Sequence, residues 1–275
     1  MKIWEALIYG LVAGLTGLLP VSFSGHAAVL QAAFALSPLT QGGGLYVRAA
    51  ITLGLSAALV LAFPGELQLT CGELARRPQR GKRARQPSPR RRAVLMGLLA
   101  LPIGLLSLIW CAAAERITRL SLIAAFFCLN GLILFAAGRP GGQKDARALM
   151  LPDALLAGAT RLAAVLPGLS PLGLTLAVCR LRDLRTDFAL RFTAMLTLGF
   201  SLCEFVYRLL RAVIVGTFSA SLWLPMLVAL VASTVAGYFA LQYLKYLLHR
   251  EKLRVFSYYC WDAAVIALIL ALINA

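Results

Sequence analysis

Charged residues are scarce, making up only 14% of a chain that is 60% hydrophobic, and the mean hydropathy is +0.82. Soluble domains sit nearer half apolar, so a water-soluble globular fold is excluded and a bilayer is implied as solvent. Cysteines are few and dispersed, at positions 71, 111, 128, 179, 203 and 260. No CxxC pair occurs and most fall inside apolar stretches, which excludes a disulfide framework and a cysteine metal site and leaves small packing residues. The basic segment 76–92 lacks aromatics, so it offers no stacking surface for bases. Without that surface, the formal net charge of +16 does not point to nucleic acid. The cations lie between apolar stretches, the positive-inside pattern of membrane proteins.

What the chain does have is length in its apolar runs. Six stretches, roughly 44–63, 93–113, 118–138, 190–215, 221–247 and 255–274, approach or exceed the ~20 residues needed to cross a hydrocarbon core. Two further apolar stretches, 3–35 and 153–180, are interrupted by Pro, Gly and Ser at Pro20–Gly25 and Pro167–Gly173. Each interrupted stretch predicts two half-helices that enter and leave on one side. Lys2 followed by an apolar run has the layout of a cleaved signal peptide, but Glu5 and the motif at 14–26 predict that the segment is retained.

The connection 64–92 carries Arg76, Arg77, Arg80, Lys82, Arg83, Arg85, Arg90, Arg91 and Arg92 with no acid after Glu73, which places it in the cytoplasm. It is expected to be a solvated loop that attracts anionic lipid headgroups. Counting crossings onward puts 139–151, 181–189 and 248–254 on the same side, and these segments are basic as well. The two broken hairpins then have opposite topology. A short repeat agrees: Glu5-Ala-Leu-Ile-Tyr-Gly10 recurs as Asp153-Ala-Leu-Leu-Ala-Gly158, each copy followed by Leu-Pro and a serine-containing turn. The expected fold is therefore an all-α polytopic membrane protein of the plasma membrane, with six transmembrane helices plus two oppositely oriented re-entrant hairpins. It forms one domain over 1–275, with inverted repeats at roughly 1–138 and 150–275.

Irregular backbone at membrane depth must be buried in protein or line a wet cavity, which makes the two breaks the expected site. The first offers Ser22, Ser24, Gly25 and His26 together with the amides of a helix N-terminus, a combination suited to an anion such as phosphate. The second offers Ser170, Gly173 and Thr175. The plainer roles for these residues are helix capping by the serines and a hydrogen-bonded packing histidine. Arg161 lies about six residues before the second break, ~9 Å along the helix, and would cost ~3 kcal/mol facing lipid. It is expected to face the interior cavity, with snorkelling to an interface as the plainer alternative. Glu204 and Arg208, spaced i to i+4 with Arg211 a turn on, are expected to pair or lie near an interface. Asp262 is early in the last span, where an interfacial position suffices.

Gly14-Leu-Thr-Gly-Leu-Leu-Pro-Val-Ser-Phe-Ser-Gly-His26 resembles the first signature of the undecaprenyl-diphosphate phosphatase, or bacitracin-resistance, family, which runs roughly E-G-x-T-E-F-L-P-V-S-S-S-G-H. Pro167-Gly-Leu-Ser-Pro-Leu-Gly-Leu-Thr175 is similar to the second, P-G-x-S-R-S-G-x-T, and the segments around Glu5, Asp153 and Arg191-Phe192 also match in order. The resemblance implies the same fold of six spans and two opposed hairpins, a polyprenyl diphosphate lipid substrate, and a divalent metal held by two acids. Those acids fall here at Ala13 and Gly17, the middle serine at Phe23, and the second signature's arginine and serine at Pro171 and Leu172. Ser22, Ser24, Gly25, His26, Ser170, Gly173 and Thr175 match, and family members usually carry glutamine where Arg161 stands.

The expected site therefore has Ser22, Ser24 and His26 in the catalytic positions, Gly25, Arg161, Ser170, Gly173 and Thr175 binding substrate, and no metal ligand. Three functions follow for testing. The chain binds a polyprenyl (di)phosphate and moves it across the membrane without hydrolysis; it is an altered phosphatase using His26 or a serine as nucleophile; or it is a partner subunit with no ligand of its own. A homodimer is compatible with each.

Overall fold

The structure is a computed structural model that describes residues 1–65, 72, 88–139 and 142–274. The basic residues Arg76, Arg77, Arg80, Lys82, Arg83 and Arg85, on which the expected lipid-attracting loop rests, lie outside the described residues. Within them the chain is helical, with no strand. Helices α1 (Ile3–Gly17) and α2 (Phe23–Phe34) form the first broken hairpin, and α7 (Leu151–Ala164) and α8 (Pro171–Leu181) the second. Between and after them run α3 (Gly44–Ala62), α4 (Pro89–Leu105), α5 (Ser107–Ala114), α6 (Leu120–Ala137), α9 (Thr186–Val215), α10 (Trp223–His249) and α11 (Val255–Ile273).

By length and composition α3, α6, α10 with its 3-10 lead, and α11 can each cross a membrane. Helices α4 and α5 make a fifth span when taken together, bent by 42°. Pro102 and Gly104, both poor helix formers, lie just before the break. Helix α9 is 30 residues long, but Glu204, Arg208 and Arg211 remove it from the purely apolar class. The chain is thus an all-α polytopic membrane protein; of the six spans expected, five are met by length and composition among the described residues, and the stretch 190–215, within α9, is not. Its outer surface agrees: Ile214, Trp223, Phe239, Leu272 and Ile273 are all exposed, a large apolar belt that only lipid or another apolar partner would cover.

The two hairpins are built alike. The Glu5 carboxylate accepts the Lys2 amide at 2.7 Å and the Ser37 hydroxyl at 3.0 Å, tying the start of α1 to the chain just beyond α2. Asp153 accepts the Met150 amide at 3.1 Å and Arg182 Nε at 2.6 Å, tying the start of α7 to the residue just beyond α8. In both, an acid in the first turn caps the helix and favours its positive end. Gly10 packs on α10, where a Cβ would lie 2.8 Å from the Ala229 carbonyl, while Gly158 packs directly on the Ala100 carbonyl of α4. The helix pairings are correspondingly matched: α1 packs on α10 as α7 does on α4, α3 packs on α10 as α9 does on α4, and α3 and α9 pack on each other.

Candidate anion-binding site between the helix breaks

Each break follows from its residues. Pro20 cannot continue α1, and α2 restarts with Ser22 as N-cap, its Oγ accepting the Gly25 amide at 3.4 Å. Ser22 holds φ at +69°, a conformation that costs a non-glycine residue about 1–3 kcal/mol and persists only where its surroundings enforce it. In the second break Ser170 caps α8, its Oγ accepting the Gly173 amide at 3.0 Å, with Pro171 at the first helical position.

The breaks touch. Ser22 Oγ also accepts the Gly168 amide at 3.1 Å, and Ser170 Oγ donates to the Leu19 carbonyl at 3.3 Å. Asn130 of α6 completes the joint, accepting the Ser170 amide and donating to the Pro20 carbonyl, each at 3.0 Å. Glycine is required for this approach: a Cβ on Gly25 would stand 2.9 Å from the Gly168 Cα, and one on Gly173 would stand 2.8 Å from the Pro20 Cβ. Ser22, Gly25, Ser170 and Gly173 are thus buried in the joint itself. Thr175 is buried too, donating to the Pro171 carbonyl at 2.9 Å and lying 2.8 Å from the Thr160 hydroxyl.

His26 points away from the neighbouring cavity. Its Nδ1 donates to the Ser22 carbonyl at 2.6 Å and its Nε2 lies 2.9 Å from the Tyr259 hydroxyl of α11, with the Phe127 ring edge-on at 5.1 Å. Of the expected site residues, Ser24 and Arg161 line the cavity.

That cavity, about 120 Å³, is bordered by both breaks and by α3, α5 and α9, and it holds roughly four waters' worth of liquid volume. Gly17, Phe23, Ser24 and Pro171 form its break-side wall. Opposite them stands a chain of ion pairs. Arg161 NH2 meets Glu204 Oε2 at 2.8 Å, Arg208 NH2 meets Glu204 Oε1 at 2.6 Å, and Arg208 NH1 meets Glu115 Oε1 at 2.7 Å. Arg48 NH1 lies 3.3 Å from Glu115 Oε1, and Arg211 also pairs with Glu115. The Arg161 guanidinium stands 5.1 Å over the Phe200 ring, which fixes its plane.

The cavity therefore differs from a carboxylate-free pocket shared by Arg161 and His26. It holds two carboxylates and takes its cations from α3, α7 and α9. Arg48 and Glu115 are participants that the sequence reading did not name, while Glu204 and Arg208 pair with each other as their spacing predicts and do so in the cavity wall. Their signal was the cost of ionisable groups in apolar helices, which normally turns them inward toward each other or a cavity. Asp262 is exposed on α11. A divalent metal does not fit these donors: Glu115 and Glu204 are each bound by arginines, and no group of three His, Cys, Asp or Glu stands together among the described residues.

The sequence matches the family described as bacitracin resistance protein BacA over residues 6–266. Similar curated proteins include the undecaprenyl-diphosphatase of Methanobrevibacter smithii, 30% identical over 277 aligned residues that cover 97% of this chain and 96% of that protein. That of Carboxydothermus hydrogenoformans is 31% identical, covering 98% of each, and that of Rubrobacter xylanophilus is 29% identical, covering 99% of this chain and 100% of that protein.

Proposed function

The chain belongs to the bacitracin resistance protein BacA family, and from that premise we propose that this multi-pass protein of the plasma membrane takes a polyprenyl (di)phosphate carrier lipid as ligand, holding its phosphate end in the cavity between the two helix breaks without hydrolysing it by the family's route. One observation carries the reading: Gly17, Phe23 and Pro171, where the family resemblance puts an acid, a serine and an arginine, line the same cavity as Arg48, Arg161 and Arg208. Acid/base and electrostatic groups of the missing kind are each worth ~100-fold or more in rate, so their joint absence removes several orders of magnitude. Guanidiniums, in contrast, match phosphate oxygens in geometry and charge.

An apolar neighbour supports a lipid ligand. A cavity of about 180 Å³ between α3, α4 and α9 shares Leu59 with the polar one and is otherwise lined by groups such as Phe63, Leu98, Leu101, Met195 and Leu202. Head and tail of one amphiphile would be accommodated side by side. The alternative of an altered phosphatase with His26 or a serine as nucleophile gains nothing from Ser22, which is fully buried in the joint, or from His26, which bonds Tyr259 and is outside the cavity lining. It rests on Ser24, which lines the cavity with its Oγ 3.3 Å from that of Ser22. A transport role is favoured by the matched helix pairings around the site, which suit two inverted halves, roughly 1–138 and 150–275, rocking about a shared centre.

The test is phosphate release from undecaprenyl diphosphate by the purified protein, with and without a divalent metal, beside equilibrium binding of undecaprenyl phosphate. The expected result is binding without turnover, and turnover rising from background in a variant carrying A13E, G17E, F23S and P171R. Metal-dependent release by the unaltered protein at a rate comparable to its relatives would overturn the non-hydrolytic reading. Absence of lipid binding would overturn the ligand.

A further inference from the structure

The ion pairs of the cavity do not balance. Glu115 is shared by Arg48, Arg208 and Arg211, and Glu204 by Arg161 and Arg208. Four guanidiniums therefore meet two carboxylates, Arg48, Arg161 and Arg208 lining the cavity and Arg211 standing behind Glu115, a surplus of two positive charges in one connected cluster. Arg208, 7% exposed, spends its donors bridging the acids: Nε and NH2 to Glu204 and NH1 to Glu115. Arg161 and Arg48 are engaged differently. Among the described residues each meets its glutamate through one terminal amino group while lining the cavity, and each guanidinium fork carries five N–H donors in all.

Buried charge of one sign is unfavourable unless an opposite charge meets it. A phosphate monoester at neutral pH carries about −1.5 to −2, equal and opposite to the surplus. A diphosphate brings a second phosphoryl group and roughly one further negative charge, for which this donor set holds no cation.

We propose that Arg48 and Arg161 form a metal-independent clamp for a single phosphate group, with Arg208 as the positioning residue between them and Glu115 and Glu204 as resident counter-anions, so that the protein selects the polyprenyl monophosphate over the diphosphate. The inference rests on the reading that the ligand is a polyprenyl (di)phosphate. It assigns the acids a role opposite to metal binding: they hold the guanidiniums apart and in place before the ligand arrives, and they set the net charge that the ligand must match.

The experiment is equilibrium binding of undecaprenyl phosphate and undecaprenyl diphosphate to the full-length protein in nanodiscs, in EDTA and again with magnesium, with inorganic phosphate and pyrophosphate as soluble competitors. The expected result is a preference of ten-fold or more for the monophosphate, unchanged by EDTA, and weaker binding of both lipids in R48Q and R161Q. E115Q and E204Q each add one positive charge to the surplus and should shift the preference several-fold toward the diphosphate; E204Q carries this arm if E115Q fails to fold. Tighter binding of the diphosphate by the unaltered protein, or binding that requires magnesium, would overturn the clamp while leaving the lipid reading intact. Inorganic phosphate bound with no lipid bound would sink the lipid reading and leave the clamp.

Discussion

The hydroxyl of Ser22 accepts the amide of Gly168 at 3.1 Å although 146 residues separate them in the chain. The first hairpin is in this way fastened to the second at the point where both lose regular helix. The same oxygen accepts the Gly25 amide, so Ser22→Ala strands two buried donors. The expected loss is about 1–3 kcal/mol per unsatisfied group, seen as a lower thermal midpoint in detergent. Ser24→Ala, two residues along at the cavity edge, should leave that midpoint nearly unchanged. Equal effects of the two changes would show that the joint does not depend on Ser22.

Small residues set the depth at which α1 and α7 seat against their partners. A Cβ on Gly14 would stand 2.6 Å from the Ala236 Cβ and 2.7 Å from the Gly237 amide, and Gly158 abuts the Ala100 carbonyl. With Gly10 one turn earlier, α1 presents the small-xxx-small pattern that lets membrane helices approach closely. Gly14→Leu and Gly158→Leu should each destabilise by ~1–3 kcal/mol or more through overpacking. Monodispersity and thermal unfolding after extraction measure this. Wild-type midpoints in both variants would mean the contacts yield easily, and the close-packed account would fail.

How much of this was legible in the sequence depends on the range of the interaction involved. The hairpin breaks were legible because Pro20 and Pro167–Gly168 interrupt apolar runs, and the spans because twenty apolar residues have few alternatives. The Glu204–Arg208 pair was legible from its i to i+4 spacing. Its continuation was not: Arg208 reaches Glu115 across 93 residues and Arg161 reaches Glu204 across 43, contacts fixed by which helix packs on which. Arg48 and Glu115 sit toward the ends of apolar stretches, where a charge has an ordinary interfacial explanation. His26 is the reverse case: its place in a motif predicts a site residue, while its side chain on α2 reaches Tyr259 and is not part of the cavity lining.

Arg161 discriminates between a charge that holds the fold and a charge that holds a ligand. Its removal leaves Glu204 still bound by Arg208 at 2.6 Å, so no carboxylate is stranded. Arg161→Ala should therefore fold, with undecaprenyl phosphate affinity reduced at least ten-fold, about 1.4 kcal/mol. Arg161→Lys should recover only part of that affinity, because an ammonium lacks the planar fork that meets two phosphate oxygens. Unchanged affinity in the alanine variant would remove Arg161 from the site.

His26 gives the sharpest separation between the family's chemistry and this chain's geometry. In a phosphatase built on the first signature, the histidine would contact the reacting phosphate, and its loss would abolish turnover while weakening ligand contact. Here the ring lies between the Ser22 carbonyl and the Tyr259 hydroxyl, stacked on Tyr259 at 5.7 Å, and outside the cavity lining. His26→Ala should therefore change undecaprenyl phosphate affinity by less than about two-fold while lowering stability by about 0.5–1.5 kcal/mol per hydrogen bond lost. Tyr259→Phe, which removes only one of those bonds, should reproduce part of the stability loss with no effect on affinity. A ten-fold loss of affinity in His26→Ala, with the fold intact, would place the ligand on the α2 and α11 side of the breaks and make the arginine-lined cavity a structural feature.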